Sequence, residues 1–169
     1  MESKAKFLGH GIHPIVIVFP LGLLATGVVF DIIYLVWGNP GMASVAYWMI
    51  SSGLIGGLIA APFGWIDWFA IPSDTRAKTI GLMHGLSNIV ALLLFAGSWW
   101  MRNDLPERPE TLASILSFIG FGVAGIGGWL GGELVERLGV SVHEGANLNA
   151  PSSLSNASAG STNAPVGKI

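Results

Sequence analysis

Four long apolar runs, joined by linkers of a few residues, leave this chain few ways to fold. They cover residues 14–37, 42–70, 80–101 and 112 to about 135. Each has the roughly 20 residues that a helix needs to cross a bilayer. In lipid the main chain must satisfy its own polar groups, so such runs are expected as helices. The linkers GNPG (38–41), IPSDTRAK (71–78) and RNDLPERPE (102–110) are short enough to make neighbouring helices antiparallel. The expectation is an all-α fold: a four-helix transmembrane bundle, up-down-up-down, over residues 1–144. Residues 145–169 turn abruptly to Ser, Asn, Ala, Gly and Pro and are expected to be a disordered low-complexity tail. The Asn156–Ala157–Ser158 sequon in that tail reads as chance.

Composition supports lipid as the partner. Only 11% of residues are charged against 51% apolar, whereas a soluble domain carries about 25% charged residues. The eight Lys and Arg are scattered and net charge is −2, which gives no footprint for nucleic acid. With no cysteine, disulfides, iron–sulfur ligation, thioether-attached haem and cysteine nucleophiles are excluded. Lys4 and Lys6 precede the first run, but that run is about twice the length of a signal h-region and no small-residue cleavage site closes it. It reads as a retained span. Lys4, Lys6, Arg76, Lys78 and Arg137 fall at the bundle end holding residue 1, here end A. Arg102 and Arg108 fall at the opposite end B, and the bias favours end A, with both termini, as cytoplasmic.

The polar residues are as uneven as the charges. His10 and His13 open the first span, and Asp67 lies near the close of the second. His84 lies about 7 Å into the third at 1.5 Å per residue, with Asn88 one turn on. Glu133 and Glu136 end the fourth, and His143 follows. All four histidines therefore gather at end A, while end B holds Asp31, Tyr34 and a charged loop. His13, ahead of Pro14, has an N-cap-like reading, and His10 a headgroup one. His84 is harder to explain as packing, because an ionisable group inside a span normally faces the bundle interior or a cavity. Asp67, between Trp65 and Trp68, is expected to pair with Arg76, Lys78 or His84, and Asp31 to bond Tyr34. The glycine pairs Gly53/Gly57, Gly127/Gly131 and Gly128/Gly132 suit close helix docking, or leave room for a flat cofactor. Pro20 and Pro62 are expected to kink their helices.

The stretches GHGIHPIVIVFPLGLL (9–24), FD (30–31), APFGWIDW (61–68), SDTRAKTIGLMHGLSN (73–88) and GGWLGGELVERLGVSV (127–142) resemble one family. It is the bacterial predicted-membrane-protein family known as domain of unknown function 2231, and the resemblance covers residues 7–143. It implies a four-span protein of the bacterial inner membrane and assigns no reaction. Relatives are sometimes fused to Rieske-type iron–sulfur domains, which implies redox work. This chain has His10–Gly11–Ile12–His13–Pro14 where members often carry HPxHP, and Glu136 where they often carry tyrosine.

Three functions follow. In the first, a redox subunit holds b-type haem with His13 and His84 on the iron. His10 is the substitute ligand, Arg76 and Lys78 meet the propionates, and Asp67, Asn88 and Glu133 form a polar cluster around them. In the second, a divalent metal such as zinc or iron takes His10, His13, His84 and Asp67, although Pro14 biases His13 away from helical geometry. In the third there is no cofactor, and the chain is a scaffold or partner-binding membrane subunit. No catalytic motif is present, so the reading leans away from an enzyme. The expected partners are the bilayer and either a redox protein or another membrane subunit.

Overall fold

A computed structural model describes residues 1–155, 157 and 158. A two-residue strand pair, β1 (Lys6–Phe7) and β2 (His10–Gly11), leads into a one-turn helix α1 (Ile12–Val16). Then come α2 (Val18–Trp37), α3 (Pro40–Ala70), α4 (Arg76–Met101) and α5 (Thr111–Gly132), which runs into a π-helical turn at Glu133–Arg137. Four helical stretches, Ile12–Trp37, Pro40–Ala70, Arg76–Met101 and Thr111–Arg137, are long and apolar enough to cross a membrane. The up-down-up-down bundle is therefore observed. Residues 145–155 form turns without helix or strand, while Asn156 and residues 159–169 lie outside the described residues, and with them the sequon and most of the expected tail.

Local chemistry sets the boundaries. Asn39 caps α3 by accepting from Gly41 N, with Pro40 in the first turn, where a missing N–H is harmless. Thr75 caps α4 by accepting from Lys78 N. Gly38 closes α2 in the left-handed conformation (φ +65°) and donates to Tyr34 O. The kink expected at Pro20 takes the form of a break at Ile17, between α1 and α2. Pro20 has no N–H for Val16 O, so the ladder is interrupted there. Helix α3 runs on through Pro62.

Packing is concentrated within two hairpins, α2–α3 and α4–α5. Leu24, Val28, Ile50 and Phe95 form the buried core, flanked by Leu54, Leu92, Trp99 and Phe118. Gly53 and Gly57 serve two neighbours: added β-carbons would lie 2.7 Å from Leu24 of α2 and 2.7 Å from Leu92 of α4 respectively. Close approach at these points lets dispersion contacts hold helices that lipid does not drive together. Gly128 and Gly132 do not extend the pattern, because nothing among the described residues lies within 4 Å of a β-carbon at either.

At end B a polar cluster joins the hairpins. The Arg102 guanidinium donates to both Asp31 oxygens, at 2.5 and 2.7 Å, and to Ser98 Oγ at 3.2 Å. Ser117 Oγ of α5 lies 2.7 Å from Asp31 Oδ2. Asp31 is thus an ion-pair partner of Arg102 rather than a partner of Tyr34. At end A, Ile71, Leu134 and Val140 make a small apolar cluster with Met1, Trp68, Ile80 and Leu138. The Met1 amino group donates to Gly139 O there, which brings the two ends of the bundle chain together.

Candidate functional site

His13 and His84 come from different hairpins and meet edge to face at end A. Their ring centroids are 6.2 Å apart and the planes 87° apart. His13 is not a cap: α1 starts one residue earlier, with Gly11 at the N-cap. Its Nδ1 lies 3.1 Å from Ala60 O of α3, and His84 Nδ1 lies 2.8 Å from Gly127 O of α5. A carbonyl only accepts, so each Nδ1 carries a proton, and in the neutral ring Nε2 keeps its lone pair.

Asn88 holds His84 from a turn away. Its Nδ2 donates to His84 O at 2.9 Å and stands 3.2 Å from Nε2 and 3.4 Å from Nδ1. The amide braces the ring.

Each of these three side chains rests on a glycine. A β-carbon at Gly64 would lie 3.0 Å from the His13 ring, one at Gly131 3.1 Å from the His84 ring, and one at Gly127 2.7 Å from Asn88 Oδ1. Gly127 and Gly131 repeat the four-residue spacing of His84 and Asn88. The pair makes the floor of the site, beyond the helix docking read from its spacing.

The remaining expected residues are engaged elsewhere. His10 is exposed on β2, with Nε2 3.2 Å from Ser153 Oγ. Among the described residues Asp67 pairs with no cation: it accepts from Ser3 Oγ at 2.7 Å, Lys4 N at 2.7 Å and Ala5 N at 3.3 Å. Two main-chain donors and a hydroxyl satisfy this buried carboxylate, so Arg76 and Lys78 are free for other partners. Arg76 pairs with Glu133 at 2.7 Å. Lys78 Nζ donates to Trp68 O at 2.8 Å and sits 4.0 Å above the Trp68 ring. The expected polar cluster thus divides: Asn88 joins the histidines, and Asp67 and Glu133 do not. His143 lies against Glu2, Nε2 to Oε1 3.1 Å. Lys6 bonds Glu2 from its other side and, with His143, holds that carboxyl below its usual range. Among the described residues no group of three or more His, Asp or Glu converges to hold a metal ion, so the four-ligand metal set is not assembled. An apolar recess at end A, lined by Met1, Ile71, Leu138 and Val140 among others, is separate from the histidine pair.

Sequence reasoning missed Ser3 as the partner of Asp67 and the carbonyls of Ala60 and Gly127 as anchors of the rings. No curated protein and no solved structure shows significant similarity to the chain. The family model described as "Predicted membrane protein (DUF2231)" matches residues 9–144, and the chain belongs to that family of membrane proteins.

Proposed function

We propose that this membrane protein is an electron-transfer subunit that binds one b-type haem through His13 and His84. The observation that carries the reading is the paired anchoring of the two rings. Both Nδ1 atoms are tied to main-chain carbonyls of a neighbouring helix, which makes Nε2 the nitrogen of each ring that would take a ligand, in place of the Asn88 amide at His84, and the centroids are 6.2 Å apart. Fixing the ligand tautomer by a bond from the other ring nitrogen is a recurrent way to orient metal-bound histidine. Haem when bound supplies one-electron chemistry. Ala60 O and Gly127 O orient the imidazoles, Asn88 holds the His84 ring, and Gly64 and Gly131 leave the ring edges room.

The alternative is a non-catalytic scaffold or partner-binding subunit without cofactor. It is favoured by the engagement of Arg76 with Glu133 and of Lys78 with Trp68, which leaves propionates without the cations expected for them. In either case end A is assigned to the cytoplasmic face of a bacterial inner membrane, from the basic residues Lys4, Lys6, Arg76, Lys78 and Arg137. A redox protein or a second membrane subunit would dock there.

The test is an oxidised and dithionite-reduced absorption spectrum of the detergent-purified protein, with metal analysis on the same sample. A Soret band with reduced α and β bands, near one haem per chain and lost in His13→Ala and His84→Ala, is the expected result. A folded, colourless, metal-free protein overturns the haem reading and leaves the scaffold.

A further inference from the structure

We infer that the β1–β2 hairpin tip, Phe7 and Leu8, is a lipid anchor that inserts into the boundary of the end-A leaflet. Strands Lys6–Phe7 and His10–Gly11 pair antiparallel, with Phe7 opposite His10, so Leu8 and Gly9 alone make the turn. Their φ values are +49° and +85°. A two-residue turn with both angles positive favours Asn or Gly at its first position, where a Leu side chain is strained. The strained side chain gains little shelter, since Leu8 is 60% and Phe7 64% exposed. A strained residue at a tip, apolar and held outwards, points to a contact outside the chain.

Position names the occupant. Gly11 ends β2 and caps α1, so the tip is joined directly to the first membrane-crossing stretch at Ile12. Ile15, Val18 and Phe19 of that stretch are also apolar and exposed, as expected where it meets lipid. Lys4 is exposed beside the tip and Lys6, exposed as well, is paired there with Glu2, and an aromatic with a neighbouring basic residue suits the headgroup boundary. The hairpin is presented firmly: Ile12 N donates to Ala5 O at 2.8 Å, and Asp67 accepts from Ser3, Lys4 and Ala5 just before it. The inference does not depend on haem.

The chain has no cysteine, so one introduced thiol can be labelled cleanly. The full-length L8C variant, carrying a nitrobenzoxadiazole dye, is reconstituted in phosphatidylcholine vesicles with or without brominated acyl chains. Ser73→Cys, exposed in the α3–α4 loop at the same end, is the aqueous reference. The expected result is at least twofold stronger bromolipid quenching at position 8 than at 73, with weaker iodide quenching and blue-shifted emission. Iodide quenching equal to that at 73 places the tip in water and overturns the inference. Shielding from both quenchers assigns the tip to a protein partner or second copy, and also overturns it. Leu8→Asn suits the turn, so the fold should persist; a dye at F7C should lose at least half its bromolipid quenching in that background. Unchanged quenching there would show that Leu8 does not anchor the tip.

Discussion

Arg102 and Asp31 meet inside the bundle with both side chains fully buried, two N–H···O contacts of 2.5 and 2.7 Å joining the end of α4 to the C-terminal third of α2. Ser98 and Ser117 satisfy further polar atoms of the pair. Two opposite charges removed from water together are tolerable, whereas one left alone is not. Asp31→Ala or Arg102→Ala should each destabilise the protein by about 3–5 kcal/mol. The double variant Asp31→Leu, Arg102→Met should be less damaging than either single change. Thermal melts in one detergent check this. Single variants that melt like the parent would mean that the pair does not hold the hairpins together.

The Ser3–Asp67 bond makes a more local prediction. Asp67 also takes Lys4 N and Ala5 N, so it fastens the segment that leads into the β1–β2 hairpin. A hydrogen bond to a charged group contributes about 1.5–3 kcal/mol. Ser3→Ala should therefore accelerate hydrogen exchange at the Lys4 and Ala5 amides by about tenfold to a hundredfold, with the core of α3 unaffected. Equal acceleration throughout α3 would make Ser3 a global rather than local support.

The spans were legible because length and apolarity alone decide which segments cross a bilayer, and short linkers decide their direction. The meeting of His84 with Asn88 was legible from their four-residue spacing, and their shared end with His13 from antiparallel topology. What was not legible was partner choice. Asp67 stands among cations in the sequence, yet main-chain amides of residues 4 and 5 reach it first. Asp31 and Arg102 are 71 positions apart and belong to different hairpins, so only tertiary packing brings them together. The anchors of the two histidines are backbone carbonyls, which every residue possesses and no motif can mark.

Glu2 gives a pH dependence. Lys6, first, then the Glu144 main-chain N–H and the neighbouring His143 favour its charged form and lower its pKa in the folded chain. A carboxyl with a depressed folded pKa contributes stability above its unfolded pKa and loses it as pH falls through the folded value. The Glu2 contacts should therefore persist at neutral pH and be lost only below the usual glutamate range. Carboxyl-carbon NMR of Glu2 should titrate below a glutamate in the unfolded chain. Lys6→Ala should raise the midpoint, and a midpoint indifferent to that change would remove Lys6 as the cause.

The α5 glycines separate site from surface. Gly127 and Gly131 lie under Asn88 and His84, where a β-carbon would come within 2.7 and 3.1 Å of the side chains. Gly128, one position away, has nothing among the described residues within 4 Å. Overpacking a tight contact costs about 1–3 kcal/mol, while Gly→Ala in an open helical position gains about 1 kcal/mol of helix propensity. Gly127→Ala should lower the melting temperature and Gly128→Ala should leave it unchanged or raise it. Gly131→Ala presses on the His84 ring edge itself, so it should also shift the imidazole proton resonances of His84. If Gly127→Ala and Gly128→Ala melt alike and the His84 resonances do not move, the histidine site has slack enough to absorb a methyl group. The close fit of glycine to imidazole would then not be what positions the pair.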